Sequence, residues 1–227
     1  EDLLDEVERK VFSVSRKYLK NSFLAIDGLL AEAFERIDEL HRQSGKLRGI
    51  STGFNDLDNL LAGLQRSDLV ILAARPSVGK TSLALDIARQ AAIRNKEGVG
   101  IFSLEMSKEQ LVDRMLCAQA DIKLWKMRTG NLSDREGDND FAKISEAMGQ
   151  LSEAPIFIDD SPTLSIMEIR AKCRRLQMEK GLGLIVIDYL QLMEGRGRYA
   201  DNRVQEISEI SRGLKGIARE LNIPVLA

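Results

Sequence analysis

The sequence predicts an α/β fold built on a doubly wound parallel sheet, and two observations support this prediction. Short, near-continuous apolar runs of strand length recur along the chain, as expected for strands that helices cover on both faces. Amphipathic helical segments separate these runs, so strands and helices alternate. The predicted strands span 69–73, 100–104, 155–158 and 184–187, and 225–227 begins a fifth.

Composition bounds the size and class of the protein. A chain of 227 residues with 44% hydrophobic residues suffices for one α/β core and an appendage. The formal net charge of -2 excludes a global basic field for nucleic acid, so any such contact must be local. Cys117 and Cys173 lie far apart and form no metal-binding or redox pattern. No apolar run reaches membrane-spanning length, and we expect a cytoplasmic protein without membrane contact.

The N-terminal region is predicted to precede the α/β domain as a separate part. Residues 1–21 are interpreted as the end of a preceding segment, 22–48 as an amphipathic helix with its loop, and 49–227 as the α/β domain. The helix must bury an apolar stripe, either on the chain's own core or on a neighbouring subunit, and periodicity favours neither. The stripe contains Ile26, Leu29, Leu30, Ala33, Phe34, Ile37 and Leu40.

The helices of the α/β domain carry start signals. Three serines are each followed three positions later by Glu or Gln, which is the capping-box pattern, and we expect a helix to begin at each. A last amphipathic helix is predicted from Val204 to Leu221. The three pairs are Ser107 with Gln110, Ser133 with Glu136, and Ser165 with Glu168.

A segment that follows the first predicted strand and opens a helix has the context of a phosphate-binding loop. Gly79 permits the turn, Lys80 brings a charge to the β- and γ-phosphates for binding and catalysis, and the Thr81 hydroxyl is suited to Mg²⁺. A plain glycine-containing turn is the competing interpretation, and the intact Gly-Lys-Thr end disfavours it. The predicted ATP-binding residues of this loop are Ala74, Arg75, Pro76, Ser77, Val78, Gly79, Lys80, Thr81 and Ser82.

Two acidic residues end predicted strands at the edge where a parallel sheet binds its ligands. Asp188 closes the run 184–187 and is predicted to share Mg²⁺ with Thr81. Glu105 follows the run 100–104 and is predicted to orient and deprotonate the attacking water. The alternatives are a strand-ending turn for Asp188 and a helix N-terminal charge for Glu105.

The segment after Asp188 is predicted to link the nucleotide to a second ligand. Gln191 is expected near the γ-phosphate, where it would report phosphate occupancy to the following loop. That loop combines glycines with arginines, a composition suited to a nucleic-acid backbone, and a solvated surface loop is the alternative. The candidate DNA-binding residues are Arg196, Arg198 and Arg203.

Four segments together resemble the DnaB family of bacterial replicative DNA helicases, and the resemblance covers essentially the whole chain. The fourth segment, with the Gly/Arg loop and residues 206–215 after it, is the most specific. The segments are Ser51-Thr-Gly-Phe-Asn-Asp-Leu-Asp58, Ala74-Arg-Pro-Ser-Val-Gly-Lys-Thr81, Phe102-Ser-Leu-Glu-Met-Ser107 and Ile187-Asp-Tyr-Leu-Gln-Leu-Met193.

The resemblance implies a RecA-like ATPase domain with an N-terminal amphipathic linker helix, working within a homo-hexameric ring. Such a ring hydrolyses ATP at subunit interfaces and moves along single-stranded DNA, displacing the complementary strand. Primase and a helicase loader are further partners that it implies. By position, the loop 195–202 corresponds to a channel-facing DNA loop, and the helix 22–42 to the linker helix that docks on the adjacent subunit.

The departures from the pattern limit what we expect of this chain. Ala74 stands where the phosphate loop usually has its first glycine. Family members also continue past Ala227 to an arginine finger, a part whose loss costs about 10³ to 10⁵ in turnover. We therefore expect nucleotide binding, poor hydrolysis and no unwinding. Two other hypotheses remain open: a different RecA-like ATPase, such as a recombinase, and a loader or primase docking module with an inert nucleotide site.

Overall fold

The computed structural model describes residues 25–42, 47–135, 138–193 and 202–227. The chain forms two units, 1–46 and 47–227. In the first unit, helix α1 spans Ile26–Arg42, and its large apolar side chains Ile26, Leu29, Leu30, Phe34 and Ile37 are exposed. The predicted start of this helix at residue 22 lies outside the described residues, as does the segment 1–21.

The second unit alternates strands and helices, as predicted. It opens with the short helix α2, Asn55–Leu61. The described elements that follow are β1 (Leu69–Val70), α3 (Lys80–Arg94), β2 (Val99–Ser103), α4 (Lys108–Ala120), α5 (Leu124–Thr129), β3 (Asp134–Arg135), β4 (Asp138–Asn139), α6 (Asp140–Ser152), β5 (Ile156–Asp159), α7 (Ile166–Lys180), β6 (Leu184–Asp188), a 3₁₀ turn (Leu190–Leu192), α8 (Arg203–Leu221) and β7 (Val225–Leu226).

Five of the described strands form one parallel sheet in the order β1-β7-β6-β2-β5. The chain runs outward from β1 through β2 to β5 and then returns through β6 and β7. Because a right-handed crossover places its helix on a face set by the direction of travel, the two directions cover opposite faces. Helices α3 and α4 pack on one face, and α7 and α8 pack on the other. The predicted doubly wound parallel sheet is confirmed.

The core explains why the central strands β2 and β6 are apolar up to their last residue. Every residue of β6 is buried, with Leu184 and Val186 on the α3 face and Ile185 and Ile187 on the α8 face. Alternate side chains point to opposite faces of a strand, so a strand covered on both faces has no polar side. None of the described helices is both long enough and apolar enough to cross a membrane.

The predicted helix starts had mixed outcomes. Ser165 and Glu168 form a reciprocal capping box at α7: the Ser165 amide donates to Glu168 Oε2 at 2.8 Å, and the Glu168 amide donates to Ser165 Oγ. Ser107 occupies the N-cap position of α4, but its side chain makes no capping hydrogen bond.

The prediction that a helix begins at Ser133 is wrong. Strand β3 follows Ser133, and α6 begins only at Asp140, where the Asn139 side chain accepts a hydrogen bond from the Ala142 amide. The Asp140 carboxylate accepts hydrogen bonds from the Ser133 amide and from Lys126 Nζ. A buried carboxylate thus holds the backbone of Ser133 in place of a helical turn.

A buried hydrogen-bond network fixes the entry to the second unit. Asp58 on α2 is 5% exposed and accepts hydrogen bonds from the Thr52 amide at 2.7 Å, Thr52 Oγ1 at 2.8 Å and Ser51 Oγ at 2.6 Å. Burial by itself raises the pKa of Asp58, but these hydrogen bonds outweigh it and lower the pKa below 3.8. Gly53 lies inside the same turn at φ +83°, and a Cβ there would lie 2.7 Å from Gln90 Cγ on α3.

We predict that Asp58→Asn lowers the free energy of unfolding by about 1 to 3 kcal/mol at pH 7, because the amide leaves buried donors unpaired. The lowered folded-state pKa means that the stabilisation is complete above 3.8 and is lost as the pH falls through the folded value. In urea titrations, the difference in free energy of unfolding between the unsubstituted chain and Asp58→Asn should therefore become smaller below about pH 4. Asp56→Asn, at an exposed position of α2, is the matched control. Equal unfolding curves for both variants would contradict the role of Asp58.

Candidate nucleotide-binding site

The predicted phosphate loop connects β1 to the N-terminus of α3. Gly79 precedes α3 at φ +106°, and no atom lies within 4 Å of where its Cβ would be. No side chain caps the helix at Gly79. The first-turn amides of a helix have no partner within the helix and carry a partial positive charge. The start of α3 is therefore suited to bind an anion.

A cavity of about 850 Å³ opens above this loop. It brings together every predicted loop residue except Val78, which is 71% exposed and is not part of the lining. The lining residues are Ala74, Arg75, Pro76, Ser77, Gly79, Lys80, Thr81, Ser82, Glu105, Arg114, Tyr189 and Gln191.

Asp188 connects the end of β6 to the phosphate loop. Its buried carboxylate accepts a hydrogen bond from Thr81 Oγ1 at 2.8 Å and lies 3.1 Å from Lys80 Nζ. Lys80 Nζ also lies 4.2 Å from the centroid of the Tyr189 ring, a cation–π contact. The structure thus places the two predicted metal ligands, Thr81 and Asp188, in direct contact.

The side-chain oxygens of Thr81 and Asp188 fit a magnesium ion whose remaining ligands come from a nucleotide and from water. Across the described ranges, no group of three His, Cys, Asp or Glu side chains is arranged to hold a metal ion. Mg²⁺ commonly takes one or two protein ligands and completes its shell with phosphate oxygens and water. The Thr81 hydroxyl and the Asp188 carboxylate could supply those protein ligands.

Glu105 reaches the cavity from the neighbouring strand. In the β2–β6 register Ser103 pairs with Asp188, and the Leu104 amide donates to the Asp188 carbonyl at 2.8 Å. A tight turn follows, in which Ser103 Oγ donates to the Met106 carbonyl at 2.7 Å and accepts from the Met106 amide at 3.2 Å. This turn places Glu105 at the carboxyl edge of the sheet and in the cavity lining, where a general base for an attacking water would stand.

Of the predicted site residues that follow Asp188, the structure describes Gln191 and Arg203. Gln191 lies in the 3₁₀ turn and lines the cavity. Arg203, at the start of α8, donates to the Gln191 carbonyl and pairs with Glu206. Arg196 and Arg198 lie outside the described residues. The structure thus joins the cavity wall at Gln191 to the first turn of α8.

Two lining residues were not among the candidates from the sequence, Arg114 and Tyr189. Tyr189 directly follows the predicted metal ligand Asp188, and this adjacency in sequence could have indicated that it lies at the site. Arg114 lies on α4 between the buried residues Leu111 and Met115. A charged residue beside the apolar face is ordinary in an amphipathic helix, so nothing in the sequence indicated Arg114.

This chain is similar to proteins described as replicative DNA helicases and to a family model of DnaB-like helicases. The family model described as DnaB-like helicase C terminal domain matches residues 49–227. The replicative DNA helicase DnaC of Bacillus subtilis (strain 168) is 53% identical over 227 residues, which are 100% of this chain and 49% of that protein. The replicative DNA helicase DnaB of Geobacillus stearothermophilus is 53% identical over 225 residues, covering 99% of this chain and 49% of that protein. The chain thus spans about half the length of these relatives.

Solved structures agree with these relatives. A structure described as an ATPase domain superposes with a TM-score of 0.81 and 34% identity, over 91% of this chain and 71% of that chain. A DnaB-like replicative helicase, described together with its interactions with primase, superposes with a TM-score of 0.78 and 30% identity, over 97% of this chain and 57% of that chain.

We predict that Lys80→Ala weakens binding of Mg²⁺–ATP and of Mg²⁺–ADP by about 100-fold or more, because it removes the phosphate charge and leaves Asp188 without its cation. Calorimetric titration of the chain and the variant measures this change. Lys96→Ala is the control, since Lys96 lies past the C-terminal end of α3 and outside the cavity lining. Unchanged affinity in Lys80→Ala would rule out this loop as the phosphate site.

Proposed function

Because the chain belongs to the family of DnaB-like helicase C-terminal domains, we propose that it is the ATP-driven motor domain of a replicative DNA helicase. The resemblance inferred from the four motifs is confirmed by that membership. The observation that supports the motor proposal best is the contact of Thr81 and Lys80 with the buried carboxylate of Asp188. This contact joins a phosphate loop to a magnesium-binding carboxylate at the carboxyl edge of a parallel sheet.

The residues of the site divide the work of phosphoryl transfer to water. The amides at the start of α3 and the Lys80 ammonium would bind and orient the phosphates of ATP, and Thr81 and Asp188 would hold a Mg²⁺ ion, which would neutralise the phosphate charge. Glu105 orients the attacking water and accepts its proton. Gln191 lies on the same wall, and its carbonyl contact with Arg203 gives phosphate occupancy a route towards the DNA loop.

The assembly that we propose is a homo-hexamer. Helix α1 exposes Ile26, Leu30, Phe34 and Ile37, an apolar face that needs a partner surface. As the linker helix of residues 22–48, it would bury this face on the adjacent subunit and so place one ATP site at each interface. The matched structure that is described with primase supports primase as a partner, and a loader would be needed to place the ring on DNA in the bacterial cytoplasm.

The reaction is tested by Glu105→Gln. The amide cannot accept the proton of water, so we expect ATP hydrolysis to fall by about 10² to 10⁴ while ATP affinity changes by less than about threefold. Phosphate release and strand displacement should be measured on a protein of the relatives' full length, because this chain by itself is expected to hydrolyse ATP poorly, and calorimetry measures the ATP affinity. Glu153→Gln, at an exposed position after α6, is the matched control. A full-length protein that displaces no strand with ATP would refute the helicase proposal.

The DNA contact is tested by replacing Arg196, Arg198 and Arg203 together with alanine. If each arginine neutralises one phosphate of single-stranded DNA, the slope of log affinity against log salt should shrink by about 2. Fluorescence anisotropy with a labelled oligonucleotide at several salt concentrations measures the slope. Arg175→Ala on α7 is the control, because Arg175 is exposed and paired with Glu179. An unchanged slope would place the DNA contact elsewhere.

A further inference from the structure

The backbone between β2 and α4 determines where Glu105 lies. Strand β2 ends at Ser103 and α4 begins at Lys108, so the connecting segment is residues 104–107. The Glu105 side chain is exposed, lines the cavity, and forms no hydrogen bond or ion pair with another described residue. The position of this carboxylate therefore depends on how firmly the backbone of the segment is held at its two ends.

The first end of the segment is held by Ser103 and by strand β6. Ser103 is buried, and its hydroxyl forms hydrogen bonds with both the amide and the carbonyl of Met106. The Leu104 amide donates to the Asp188 carbonyl at 2.8 Å, and the Leu104 side chain packs in the apolar cluster on the α7 and α8 face of the sheet. These contacts hold the chain from Ser103 to Met106.

The second end of the segment is held by Asp160, which directly follows β5. In the β2–β5 register Phe102 pairs with Asp159, so Asp160 lies beside the chain that leaves β2. Its Oδ2 accepts a hydrogen bond from the Lys108 amide at 3.2 Å. Ser107 occupies the N-cap position of α4, but its side chain makes no capping hydrogen bond. A carboxylate from a distant part of the chain thus takes the place of the local cap.

The two adjacent acidic residues at the end of β5 contact different helices. The Asp159 carboxylate accepts hydrogen bonds from the Ser161 amide at 3.0 Å and from Lys172 Nζ on α7. Successive side chains of an extended chain point to opposite faces of the sheet, and Asp160 accordingly contacts α4 on the other face. Asp159 and Asp160 carry the same charge one residue apart, but the hydrogen bond to the segment that carries Glu105 comes from Asp160.

We propose that Asp160 is a positioning residue for ATP hydrolysis and acts through Glu105. The proposal rests on the role of general base proposed above for Glu105. The first amides of a helix lack partners within the helix and carry a partial positive charge, so a carboxylate at this end stabilises the start of α4. Loss of the Asp160 carboxylate would release the Lys108 end of the segment, and Glu105 would no longer be held in register with the attacking water. A displacement of about 1 Å in a catalytic group lowers turnover by up to about 100-fold.

The test uses a protein of the relatives' full length, as for Glu105→Gln. In Asp160→Ala, which removes the hydrogen-bond acceptor, we expect kcat for ATP hydrolysis to fall about 10- to 100-fold, whereas the calorimetric ATP affinity should change by less than about threefold. Asp160→Asn keeps an oxygen that accepts from the Lys108 amide, so its kcat should stay within about threefold of the unsubstituted value. Asp159→Ala is the matched control, because it removes the same charge from the adjacent residue. It should lower the thermal unfolding midpoint and leave kcat unchanged.

A double-variant cycle separates positioning of Glu105 from a general structural effect. In a Glu105→Gln protein no base remains to be positioned, so adding Asp160→Ala should change the single-turnover rate of hydrolysis by less than about threefold. A further loss of about 10-fold or more would show that Asp160 acts independently of Glu105 and would overturn the proposal. Equal kcat values for Asp160→Ala and Asp159→Ala would also overturn it. An unchanged rate in Glu105→Gln alone would refute the general base itself and this proposal with it, a result that is distinct because it does not involve Asp160.

Discussion

The buried carboxylate of Asp188 is the interaction on which the rest of the site depends. It ends the central strand β6 in a buried position, and it takes Lys80 and Thr81 from the first turn of α3 as partners. Removal of either partner would leave a charge or an acceptor poorly paired in a buried position. The end of β6 and the start of α3 therefore hold each other in place.

The second constraint is the packing of α3 and α4 on one face of the sheet. Alanines of α3, including Ala88 and Ala91, are fully buried, and small side chains allow close approach between a helix and its neighbours. Leu111 and Met115 of α4 belong to the same cluster. This shared cluster sets the separation of the two cations that the helices present to the cavity, Lys80 and Arg114, so a change in the core would change that separation.

The sheet register completes the arrangement by placing acidic groups opposite these cations. Ser103 pairs with Asp188, so the chain that leaves β2 must turn at Glu105 beside the end of β6. One edge of the sheet thus gathers two carboxylates from neighbouring strands and two cations from neighbouring helices. At the same edge, the Gln191 carbonyl accepts a hydrogen bond from Arg203, which connects the cavity to α8, the helix that follows the proposed DNA loop.

The sequence by itself determined the parts whose cause is local. Apolar runs predicted the strands because strands covered on both faces have no polar side, and the loop before α3, Glu105, Asp188 and Gln191 were located by their spacing from those strands. Only the tertiary structure decided the strand order, the exclusion of Val78 from the cavity, the carboxylate of Asp140 that replaces a helix start at Ser133, and the placement of Arg114 in the site. Each of these features depends on contacts between residues that are distant in sequence. Neither periodicity nor spacing along the chain predicts such contacts.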